Sequence, residues 1–127
     1  MANLKLDHRE KPALNIKVRH EGNGCVLEMS GRFDFSGNKL FRKAYESGFE
    51  KNASGHIDLN LRGVDYLDSS ALGMLLLLKE KADAKGGAVF ISKCSDPVRE
   101  ILKVVNFNKL FDVEAGKLLG KDKEKGR

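Results

Sequence analysis

At 127 residues the chain has room for one domain and one modest hydrophobic core. Its 41% hydrophobic and 32% charged residues are those of an ordinary globular protein, and no apolar run approaches the roughly 18 residues of a membrane span, which predicts a soluble chain. The formal charge of +5 invites a nucleic-acid reading, but acidic residues lie among the basic ones and no aromatic residues interleave with them, so specific nucleic-acid binding is the weakest of the readings kept. Part of the surplus sits in residues 116–127, where Lys117, Lys121, Lys123, Lys125 and Arg127 face only Asp122 and Glu124; this reads as a flexible basic tail.

The opening MANLKLDHREKP carries charge and lacks the apolar stretch of a secretory signal, from which a cytoplasmic protein is expected. Residues 14–19 alternate apolar and polar as a half-buried strand does. The glycines of HEGNG suit a hairpin loop, residues 25–30 supply the antiparallel partner, and Gly31 is expected to end the pair. From Gly37 the period changes: Leu40, Phe41, Ala44, Tyr45 and Phe49 share a helical face, with Ser36 as the candidate cap.

A third strand is written in residues 56–61, where Ile57, Leu59 and Leu61 share a face, and a turn is expected to follow it. ALGMLLLLKEKADAK then reads as a helix, because it is rich in Leu and Met where a strand would be β-branched and a capping residue precedes it. Its apolar first half predicts a largely covered helix, in which Gly73 allows close packing. Gly86-Gly87 stops it, residues 88–91 form a compact strand, and Ser95-Asp96-Pro97 opens a helix with Val98, Ile101, Leu102 and Val105 on one side. Phe107, Leu110, Phe111 and Val113 supply a last short element. A hairpin followed by crossover helices implies a single α/β domain with a mixed four- or five-stranded sheet flanked by helices, monomeric when free.

His8, His20 and His56 lack metal-ligand spacing to one another or to the cysteines, so no metal or other cofactor is expected. Cys25 and Cys94 each sit in an apolar stretch and read as reduced, mostly buried thiols. Ser69 has no histidine or lysine at a spacing that would activate it as a nucleophile, which argues against hydrolase chemistry and for a protein that is no enzyme. What remains is VDYLDSSALG, at the carboxyl end of a strand where functional loops of such sheets gather. Asp68 or a serine here caps the helix, or one serine is an exposed hydroxyl able to accept a phosphoryl group; spacing leaves both open.

The stretches GRFDFSGNKLFRKA, IDLNLRGVDYLDSSALGMLLLLKEKADAKGGAVFIS and SDPVREILKVVNFNKLFDV together resemble the STAS domain of bacterial anti-sigma factor antagonists, over residues 12–115. The resemblance implies that Ser69 is the serine phosphorylated by a cognate anti-sigma factor serine kinase, and that Asp34 helps form the same partner-facing surface with Asp68 and Ser70. It implies partner switching: the unmodified protein binds the kinase and frees its client, and the phosphorylated protein lets go until a PP2C-type phosphatase restores it. One departure is Ala71, where many members carry glycine. Because some members of the family are not phosphorylated, a constitutive scaffold in a signalling complex is the chief alternative.

Overall fold

The computed structural model describes residues 12–52 and 54–113. His8, the N-terminal leader and the basic segment 116–127 lie outside the described residues. Strand β1 (Asn15–Glu21) and strand β2 (Gly24–Phe33) form the hairpin, with Gly22 at φ +58° in its two-residue turn. Helix α1 (Asn38–Glu50), strand β3 (Ile57–Leu67), helix α2 (Ser69–Ala84), strand β4 (Val89–Cys94), helix α3 (Asp96–Val104) and a two-residue strand β5 (Asp112–Val113) follow. The order across the five-stranded sheet is β1-β2-β3-β4-β5, antiparallel between β1 and β2 and parallel elsewhere. Helix α1 packs on β1, β2 and α2, while α2 also touches β3 and β4 and α3 rests on β3.

The period-two pattern sets the core. Register pairs Leu27 with Leu59 and Leu59 with Ile91, so one row of fully buried side chains crosses three parallel strands. Burying each such side chain contributes about 1.5–3 kcal/mol. The alternate residues Glu28, Asp58 and Asn60 point to the other face and are half-buried. Helix α1 is fastened to the sheet by a ladder of rings, with Phe33 to Phe41 at 4.9 Å and Phe41 to Tyr45 at 5.4 Å between centroids. Both cysteines are buried, and burial pushes the Cys25 thiol pKa up.

Several local expectations are corrected. The pairing with β1 does end at Ser30, as expected of Gly31, while β2 runs on beside β3 to the pair Phe33–Leu67. Gly31 sits at φ +92°, where a Cβ would lie 2.4 Å from the Ala13 carbonyl oxygen, so only glycine lets residues 12–13 approach the backbone there. No turn follows Leu61: β3 runs on to Leu67, through register shifts that put both Val64 and Leu67 in the core. Leu40 is 42% exposed, since the buried face of α1 is Phe41, Ala44, Tyr45, Gly48 and Phe49. Val105, expected on the covered side of α3, is 38% exposed. Helix α2 is covered on one side only: Leu76 is 40% exposed, and nothing lies within 4 Å of a Cβ placed on Gly73, which therefore serves no close packing among the described residues.

Candidate functional site

The pair Phe33–Leu67 brings the carboxyl ends of β2 and β3 side by side, and Asp34 and Asp68 are the next residues on each. Asp68 leaves the strand in extended backbone (φ −100°, ψ −179°) and α2 begins at once with Ser69. The expected loop is thus a single capping residue. One carboxylate oxygen of Asp68, Oδ1, accepts the Ala71 N–H at 2.8 Å, the bond that caps a helix, and the Ser70 hydroxyl at 2.8 Å. The other, Oδ2, accepts the Phe35 N–H at 3.0 Å, 33 residues back in the chain. Asp68 N–H closes the junction by donating to the Phe33 carbonyl at 3.3 Å.

Asp34 does on β2 what Asp68 does on β3. Its Oδ1 accepts the Ser36 N–H at 3.0 Å and the Ser36 hydroxyl at 2.6 Å, capping a 3₁₀ turn (Phe35–Gly37) that leads into α1. Ser36 is therefore a donor to the cap, and Gly37 stands before α1 with no side-chain cap bond. Arg32 Nε donates to Asp34 Oδ2 at 2.7 Å. These donors, the Ser36 hydroxyl first and Arg32 with it, hold the Asp34 pKa below the ordinary carboxylate range. Ser95 likewise occupies the position before α3 without capping it, because its hydroxyl donates across to the Val64 carbonyl.

The structure thus brings Asp34, Asp68, Ser69 and Ser70 to one end of the sheet, and it divides the two serines. Ser70 is engaged with Asp68, whereas the exposed Ser69 hydroxyl has no hydrogen-bond partner among the described residues. The helix already has its cap in Asp68, so Ser69 is not needed for that task. Below Ser69 on the same helical side lie half-buried Leu72, exposed Gly73 and Leu76. Phe35, which local sequence reading passes over, stands beside this surface with 76% of its area exposed. Its signal was an aromatic residue between two polar ones, outside any apolar period.

Among the described residues no group of three or more His, Cys, Asp or Glu side chains could hold a metal ion. His56 Nδ1 accepts the Ala88 N–H at 3.1 Å, tying β3 to the start of β4 at the opposite end of the sheet from Ser69. No helix among the described residues is long and apolar enough to cross a membrane.

Comparison with known proteins gives a consistent result. The STAS domain family pattern matches residues 15–117. A STAS-domain containing protein of Pseudomonas aeruginosa strain UCBPP-PA14 is 41% identical over 93 residues, 73% of this chain and 90% of that one. An anti-sigma F factor antagonist of Paenibacillus polymyxa is 24% identical over 100 residues, 79% of this chain and 86% of that one. The unphosphorylated form of the anti-sigma factor antagonist SpoIIAA superposes with a TM-score of 0.67 at 17% identity, over 89% of this chain and 98% of that one. The phosphorylated form of SpoIIAA from Bacillus gives 0.61 at 16% identity, over 78% and 90%. At that identity the structural likeness establishes a shared fold.

Proposed function

The chain belongs to the STAS domain family, and from that premise we propose that it is a phosphorylation-regulated protein-binding module, a cytoplasmic monomer that sequesters an anti-sigma factor serine kinase and releases it when Ser69 is phosphorylated. The observation that carries the proposal is the unengaged, exposed Ser69 hydroxyl beside a carboxylate whose two oxygens are already occupied. The fold-level likeness to a protein solved in both unphosphorylated and phosphorylated forms supports it. The domain itself performs no catalysis; residues 12–115 carry the switch, and the basic segment 116–127 is an appendage to it.

In the transfer step Ser69 Oγ attacks the terminal phosphorus of a nucleoside triphosphate held by the kinase. The new O–P bond forms as the bond to the leaving nucleoside diphosphate breaks, and the hydroxyl proton passes to a base on the kinase. The phosphate adds roughly −1.5 to −2 charges to this end of the molecule. The start of α2 favours an anion by about 0.3–1 kcal/mol, while the charges of Asp68 and Asp34 oppose it, so the net effect on the fold is small. The partner loses more, since a surface shaped around a neutral hydroxyl then meets bulk and an unpaired charge, at a cost of several kcal/mol. A PP2C-type phosphatase resets the switch by hydrolysis.

The test is calorimetric binding to the purified kinase with circular dichroism as the control for folding. Ser69→Asp is expected to weaken binding at least about tenfold, equivalent to about 1.4 kcal/mol, while Ser69→Ala binds and accepts no phosphate. Ser70→Ala loses its bond to Asp68 and remains a substrate. Tight binding by the phosphorylated form would favour the constitutive scaffold instead.

A further inference from the structure

We infer that Phe35 is the apolar anchor by which the serine kinase grips this domain, and that the kinase presents an apolar pocket for it beside its phosphate-transfer site. The inference rests on the reading of Ser69 as the phosphoacceptor. Phe35 is 76% exposed, although Phe33 and Phe41 on either side of it are fully buried and pack on each other. The core is closed without Phe35. Single exposed apolar residues are common, but this one is the largest of the exposed apolar side chains among the described residues, a set that includes Leu76 on α2.

The backbone beneath Phe35 is fixed. Its N–H is held by Asp68 Oδ2, its own residue opens the 3₁₀ turn, and Asp34 caps that turn through Ser36. A rigid aromatic side chain on a fixed backbone loses little conformational entropy on docking, which is the character of the residues that dominate protein interfaces. Asp68 is also one residue from Ser69, so the bond from Asp68 to Phe35 sets the spacing between anchor and phosphoacceptor. A partner reading both is held at two points.

The experiment uses the full chain and the purified kinase that labels Ser69, with phosphorylation rates measured against substrate concentration. Phe35→Ala is expected to raise KM at least about tenfold while kcat at saturation holds, Phe35→Leu to fall between, and both to keep the thermal midpoint of the wild type. Val104→Ala, at an equally exposed site on α3, is the control and leaves KM unchanged. An unchanged KM for Phe35→Ala, with Ser69 still phosphorylated, would overturn the anchor alone. Absence of phosphate on Ser69 in the wild type would overturn the phosphorylation reading and the anchor with it.

Discussion

Replacing Asp68 with alanine and, separately, with asparagine divides its bond to the α2 cap from its bond to Phe35. The carboxylate caps α2 through the Ala71 N–H at 2.8 Å, and loss of such a cap costs typically about 1 kcal/mol. It also holds the Phe35 N–H at 3.0 Å; that group is exposed, water replaces the lost acceptor, and the net cost is about 0.5 kcal/mol. The sum of about 1.5 kcal/mol corresponds to roughly 6–12 °C in the unfolding midpoint of a domain this size. Asp68→Asn keeps a carbonyl oxygen for the cap but puts an amide NH2, a donor, where Oδ2 accepts the Phe35 N–H, so its loss is expected near the about 0.5 kcal/mol of that one bond. Thermal and urea unfolding of both variants, followed by circular dichroism, checks this. An alanine variant melting within a degree or two of the wild type, or an asparagine variant as weak as the alanine one, would refute the assigned bonds.

Gly73→Ala is expected to stabilise the domain by about 0.5–1 kcal/mol, because the added methyl meets nothing within 4 Å and the helix gains propensity; a lower urea midpoint would show an unrecognised contact. Asp34 has a depressed pKa in the fold, so its contribution is fully present above the unfolded value of about 3.9 and is lost as pH falls through the folded value below it. Stability measured from pH 7 to 2.5 is expected to show Asp34→Asn weaker than wild type above about pH 4, with the gap closing at lower pH; a gap of constant size would contradict the assigned cause. Truncation after Gly116 is expected to move the unfolding midpoint little, since the removed residues are mostly charged or glycine. A large loss would show that Leu118 and Leu119 dock on the domain.

The order of elements was legible because each carries a local signature. Leu59 with its period-two neighbours, the Leu- and Met-rich run after Asp68, and Gly86-Gly87 each decide their segment within a few residues. A cap before α2 was legible for the same reason, though spacing left it between Asp68 and a serine. The misses have a common physical origin in contacts between distant parts of the chain. Residues 62–67 read as a turn because register shifts break their alternation, and only pairing with β2 reveals them as strand. Gly31 marked the end of the hairpin pair, but nothing local showed that β2 stays paired with β3 beyond it. Gly73 and Leu40 followed apolar periodicity, yet both are exposed among the described residues. The two serines at 69 and 70 could not be told apart by spacing, and the Asp68 carboxylate separates them by engaging one. The bond from Asp68 to Phe35 spans 33 residues and leaves no trace in either local stretch.

Mass-spectrometric mapping of phosphate on the protein isolated from its own cells tests the switch most directly. The account predicts phosphate on Ser69, with Ser70 unmodified and still bonded to Asp68. Phosphate on Ser70 with Ser69 bare would contradict it.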